Sequence, residues 1–188
     1  MTNTTTTGSS TATTATGGQV TGERADLLAT LEKHRQFLRF TTRDLTDEQA
    51  GRRTTVSELC LGGLVKHVAS VERAWVGFIL EGPSAMGDFT AMTEEDFAQR
   101  ADDFRMLPGD TLEGVLADYA EAARRTDELV AVLPDLDLSH ELPKAPWNEP
   151  GARWSVRRVL LHIIAETAQH AGHADIIREG LDGAKTMG

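Results

Sequence analysis

An all-α fold, with four long helices bundled around one core, is what this sequence predicts. Apolar side chains recur at spacings of three and four residues in four separate stretches, as expected of helices that bury one face. Cap-forming residues open several of these stretches, and Gly or Pro closes most of them. No segment alternates apolar and polar residues convincingly enough to read as a strand.

The first helix is expected within residues 24–43, where Leu27, Leu28, Leu31, Phe37, Leu38 and Phe40 are interleaved with Glu, Lys and Arg. The run Thr55-Val56-Ser57-Glu58 resembles a capping box, so the second helix is expected to start there. It stays apolar to Leu80, and Glu81-Gly82-Pro83 stops it. Residues 84–109 are mixed, with a short helix expected at 94–103. Asp110-Thr111-Leu112-Glu113 opens the third long helix, which runs to about Leu133 before Pro134. Residues 134–152 hold four of the six prolines and read as a long loop. Trp154 then leads into the last helix, expected to reach about Gly180. Segments 82–109 and 134–152 are too long for tight turns, so they are expected to be crossovers or the walls of a pocket.

Residues 22–188 are enough for one domain that buries roughly 70% of its unfolded surface. Residues 1–21 differ. Nine of residues 2–16 are Thr, without the large apolar side chains that offset ordering entropy, so a disordered tail is expected. This start also lacks the charged and apolar regions of a secretory signal. The net charge of -10 argues against a phosphate-backbone partner, and no apolar run approaches a membrane span. The lone cysteine, Cys60, cannot form an internal disulfide and fits a reducing, cytoplasmic setting.

The chemistry is concentrated in the last helix. Glu166 and His170 lie one helical turn apart, His173 projects between them, and His162 precedes Glu166 by a further turn. One carboxylate and two imidazoles along a stripe make half of a metal site. The remaining ligand is expected to be His67, aligned with Cys60, Gly63, Leu64, Val71, Ala74 and Phe78 on the core face of the second helix. The small residues near His67 leave room for a bulkier group or serve close helix packing. In the last helix the stripe borders an apolar arc of Val159, Leu160, Ile163, Ile164 and Ala171. An ionised Glu beside neutral imidazoles is costly to bury without compensation. A divalent metal ion held by His67, Glu166 and His170 supplies it and leaves positions open for water or substrate. The competing readings are a hydrogen-bonded core histidine at 67 and a solvated polar face on the last helix.

Zinc is the first expectation for that cofactor, with nickel, iron and manganese as alternatives, because three N/O ligands suit all four. A His-Glu-x-x-His helix and a paired Glu-x-x-His di-iron pattern are both absent. Cys60 reads as core, since His67 lies two turns away and no other base is in evident reach. Trp75, Trp147 and Trp154 are either pocket walls or packing. His34 and His140 have no evident partner.

His67 in a central second helix, followed by Glu166-x-x-x-His170-x-Gly172-His173 after Trp154-Ser155, resembles the DinB/YfiT-like superfamily. From Trp154 to Gly183 the chain is especially similar to its DinB-like, mycothiol-transferase-like branch. The resemblance spans roughly residues 22–183. It implies a bundle with down-up-up-down connections, a divalent metal, and a ligand set of three His or of two His with a carboxylate. Glu166 fills the carboxylate position, as in the mycothiol-dependent maleylpyruvate isomerases. Many relatives carry Gln where this chain has His173, which leaves His173 open as a supporting residue, a substrate contact or an alternate ligand. The resemblance also implies a homodimer and a low-molecular-weight thiol such as mycothiol. The function expected is therefore that of a metal-dependent thiol S-transferase or related detoxification enzyme, of the transferase or isomerase class. Its partners would be a small-molecule electrophile and the thiol, with neither nucleic acid nor membrane. The alternative is a non-catalytic metal-binding stress-response or sensor protein of the same family.

Overall fold

The computed structural model describes Met1 and residues 20–186, so most of the Thr-rich segment lies outside the described residues. Six helices occur among them: α1 (Glu23–Phe40), α2 (Asp47–Ala50), α3 (Leu61–Glu81), α4 (Glu94–Asp102), α5 (Leu112–Val132) and α6 (Val156–Asp182). The architecture is all-α, as the sequence predicts, apart from a small antiparallel ribbon of β1 (Ser139–Glu141) and β2 (Arg153–Ser155).

Long-range contacts fix the direction of each long helix. Arg157, at the start of α6, binds Glu23 at the start of α1 (Nη2 to Oε2, 3.1 Å). Arg178, near the end of α6, donates to the carbonyls of Thr41 and Arg43 just beyond α1. Helices α1 and α6 are therefore parallel. His67 meets His170 while Trp75 meets His162, so α3 runs antiparallel to α6. Arg73 reaches the Asp118 carbonyl and Leu80 lies across a groove from Val132, which makes α5 parallel to α3. The order up, down, down, up is the expected connection seen from the other end. Since α3 and α5 are parallel, residues 82–111 must return the full length of the bundle.

The core has two apolar halves. Leu38, Leu61, Leu64, Val68, Tyr119 and Ile177 fill one, and Leu31, Phe78, Val130, Val156, Leu160 and Ile163 fill the other. Between them runs a buried polar layer. Arg35 on α1 and Glu72 on α3 have no solvent exposure and form a two-pronged ion pair. Arg35 Nη1 also donates to Asp127 Oδ1 on α5 at 2.9 Å. Three helices are thereby pinned at one level by charge-assisted bonds with specific geometry.

Several boundaries differ from expectation. Helix α3 begins at Leu61 with Cys60 as its cap residue, and Thr55 and Glu58 form no capping box. Instead Thr55 Oγ1 accepts from Ser57 N and Ser57 Oγ accepts from Leu59 N, local bonds that compete with a helical start. The third long helix is capped by Thr111, whose hydroxyl accepts from Gly114 N. Helix α6 passes through Gly180 and stops at Gly183, which takes the left-handed conformation (φ 78°) that suits glycine.

Candidate metal centre and its cavity

His67 stands on the second turn of α3 because the helix is anchored there from two sides. Gly62 and Gly63 let the return segment after α4 lie directly on α3: a Cβ on Gly63 would fall 1.9 Å from the Phe104 carbonyl oxygen. The room that Gly63 leaves beside His67 is thus occupied by backbone, while Ala74 lines the cavity between α3 and α6. That approach stacks Phe104 on His67, ring centroids 3.9 Å apart and 23° from parallel. Lys66 fastens the same segment, donating to Arg105 O at 2.9 Å and to Asp110 Oδ2 at 2.6 Å. Buried Cys60 places Sγ 3.7 Å from the Phe104 carbonyl oxygen, so it serves the core and this contact.

Across the interface, α6 presents Glu166 and His170 on successive turns. One ligand-type atom from each of His67, Glu166 and His170 lies within 4.8 Å of the other two, so the three could hold a metal ion. His67 and His170 meet edge-to-face at 4.8 Å between centroids, and His170 Nε2 is 3.5 Å from Glu166 Oε2. His173 lies behind this group, with its Nδ1 3.4 Å from His170 Nδ1. It contacts His170 and is not part of the converging set. His162 flanks the other side, Nε2 at 3.8 Å from Glu166 Oε1. Its ring packs against Trp75 and Trp154, which are themselves stacked 4.9 Å apart.

The electrostatics suit cation binding. Burial, with the neighbouring His170 ring, pushes His67 down to about 4, so its imidazole is neutral with a free lone pair at ordinary pH. Burial also lowers His162. The His170 ring beside Glu166 holds that carboxyl below its usual range despite the opposing effect of burial. Two aromatic nitrogens and a half-buried carboxylate with no Lys or Arg paired to it among the described residues form a donor set that fits a divalent ion.

His67 and Glu166 open onto a cavity of about 480 Å³ between α3 and α6. Trp75 and Trp154 form one wall, and Trp147, Met86 and Leu142 come from the two long connections. The three tryptophans and both connections therefore are pocket walls. Arg100 of α4 also lines the cavity, which sequence reasoning missed because α4 shows no pattern relating it to α3. His140, without an evident partner in the sequence, has Nε2 3.1 Å from the Ile79 carbonyl oxygen. His34 lies half-buried on α1, its ring edge-on to Phe37, away from the site.

A family model described as Mycothiol-S-transferase matches residues 26–183. The chain belongs to the mycothiol-S-transferase family. The match spans nearly the whole bundle, including His67, Glu166 and His170, and agrees with the DinB-like resemblance of the sequence. Among solved structures, a conserved protein from Enterococcus faecalis is similar with a TM-score of 0.64 at 14% identity, over 88% of this chain and 100% of that one. A Streptococcus pneumoniae protein is similar with a TM-score of 0.58 at 11% identity, over 83% of this chain and 90% of that one. At these identities the likeness is one of fold. No curated protein matches the chain. No helix of the described residues is long and apolar enough to cross a membrane.

Proposed function

We propose that this member of the mycothiol-S-transferase family transfers a small thiol, of the mycothiol type, to an electrophilic carbon in a metal-dependent reaction. The supporting observation is the meeting of His67, Glu166 and His170 within 4.8 Å at one end of an aromatic cavity. A divalent ion, zinc by preference, held by these three side chains would supply the positive charge that favours a thiolate over a thiol at neutral pH. The thiol proton leaves to solvent, the sulfur forms a bond to the electrophilic carbon, and the leaving group departs with the bonding electron pair.

The chain's own residues prepare this chemistry. Glu166 contributes a negative charge that offsets part of the cation's charge. His67 stays neutral and is held in orientation by Phe104 on its face. His173 sits against the Nδ1 side of His170, where a second nitrogen can fix that ring's orientation. The aromatic and aliphatic walls of the cavity would hold the electrophile by apolar contact. The thiol and the electrophile are the proposed partners, and the cytoplasm is the setting that the lone Cys60 suggests.

The test is elemental analysis of the purified protein together with thiol-dependent consumption of a haloarene. About one divalent ion per chain and saturable consumption are expected. His67→Ala and His170→Ala should each lose the ion and the activity. Activity unchanged in both variants would refute the proposal. Stoichiometric metal with no turnover across a broad substrate screen would favour the non-catalytic binding protein.

A further inference from the structure

The cavity wall carries two formally charged residues, Glu166 from α6 and Arg100 from α4. Glu166 faces the two imidazoles. Arg100 faces nothing of opposite charge: its guanidinium forms no ion pair or hydrogen bond among the described residues, unlike nearly every other arginine of the chain. Arg158 is the other exception, lying 4.9 Å from the Trp154 ring centroid outside the cavity lining.

Helix geometry offers Arg100 a partner, and the structure withholds it. Asp96 is four residues earlier, the spacing at which an acid and an arginine ordinarily pair. Its Oδ2 instead accepts from Thr93 N at 2.7 Å and Thr93 Oγ1 at 2.8 Å, completing the capping box of α4. Asp88, on the neighbouring turn, is likewise engaged with Thr90. Arg100 is steadied by an aromatic face, its guanidinium carbon 5.1 Å from the Phe89 centroid, and Phe89 leans on Trp147. With no acceptor among the described residues, the Arg100 N–H donors are left to grip a carboxylate or similar anion. Asn148, also on the wall, gives one amide N–H to the Pro143 carbonyl oxygen and carries no charge to hold an anion.

We infer that Arg100 is the specificity-determining residue of the cavity, and that the electrophile it admits has an apolar, ring-bearing body and one anionic group. The body lies against Trp75 and Trp154, and the anion sits at Arg100. This inference rests on the cavity being the substrate site of the proposed transferase. A chain of net charge -10 repels anions at long range, so a free cation at the cavity is what makes an anionic substrate acceptable there.

Calorimetric titration of 2-naphthoate and its neutral isostere 2-naphthamide tests this on the full chain, with and without added zinc. Wild-type protein is expected to bind the carboxylate roughly tenfold more tightly, the scale of one charge-assisted hydrogen-bonded pair. Added salt should shrink that preference. Arg100→Gln should abolish the preference while leaving 2-naphthamide binding unchanged, Arg100→Lys should restore part of it, and Arg158→Gln should keep it whole. Equal affinity for the two ligands in wild type, absence of binding by either, or a preference that survives Arg100→Gln would each overturn the inference. A preference seen only with zinc and untouched by Arg100→Gln would place the carboxylate at the metal and overturn it as well. Because binding is read without turnover, failure of thiol transfer with the Arg100-dependent preference intact would refute the transferase reading alone.

Discussion

Gly63 sets the position of His67 as firmly as any polar contact does. Its missing Cβ admits the Phe104 carbonyl, which is backbone and cannot swing aside. Gly63→Ala should therefore lower stability by about 1–3 kcal/mol, the usual cost of overpacking, read from urea unfolding, and should disturb the Phe104 stack on His67. At Gly62 the obstruction is the Met106 side chain, which can move, so Gly62→Ala should cost less. Acid sensitivity is a second property at this scale. His67 has a folded-state value of about 4 against an ordinary value of 6.5, so between these limits the unfolded chain binds the extra proton. Stability then rises with pH across that window, and the metal-free protein should lose it as pH falls from about 6.5 toward 4. His67→Gln should flatten this part of a thermal-denaturation profile; an unchanged profile would contradict the burial of a neutral ring. The sequence made the stripe of Glu166, His170 and His173 visible because helical spacing is a local property. It left the small residues near His67 open between room for a bulkier group and close packing. It could not show that the space is filled by a chain segment some forty positions further on. Arg35 is legible as a buried position, since it follows Leu31 by four and precedes Leu38 by three, on the buried face of α1.

At the scale of elements, the return segment 103–110 behaves as a strap across the first half of α3. Lys66 holds two points of it, and Ser70 Oγ lies 3.3 Å from Asp103 Oδ2. Asp110 is the centre of the fastening, because its Oδ2 also accepts from Leu107 N at 2.8 Å. Asp110→Asn should cost about 1 kcal/mol, as expected for a partly exposed ion pair, and hydrogen exchange should quicken within 103–110 while the middle of α3 stays protected. Uniformly unchanged exchange would show that the strap is held by apolar packing alone. Long periodic elements were readable from the sequence, and short ones were not. The strands β1 and β2 have three residues each, too few for a period-two pattern to emerge. Helix α2 is a single turn, yet Thr46 and Gln49 do form the reciprocal cap whose signature lies in the sequence. The same kind of signature at Thr55 and Glu58 misled, since hydroxyls in that run satisfy nearby N–H groups without helix.

Across the whole molecule, one charged layer divides the core and ties α1, α3 and α5 together. Removing one member of a fully buried pair strands the other, so Glu72→Ala should cost about 3–5 kcal/mol. The double variant Arg35→Met with Glu72→Leu should recover much of that loss, because two apolar groups need no mutual compensation. A double variant as unstable as the single one would show that Asp127 and the surrounding geometry depend on Arg35 independently. The apolar faces predicted that the long helices bundle, but the order of the bundle depends on how the long connections travel, and composition does not encode a path. The parallel course of α1 and α6 has a last consequence for biosynthesis. His67 emerges from the ribosome long before its companions on α6, and that final helix is also the one that closes the core against α1. If the proposed three-residue site holds an ion, a nascent or C-terminally shortened polypeptide should retain none, since Glu166 and His170 both lie on α6.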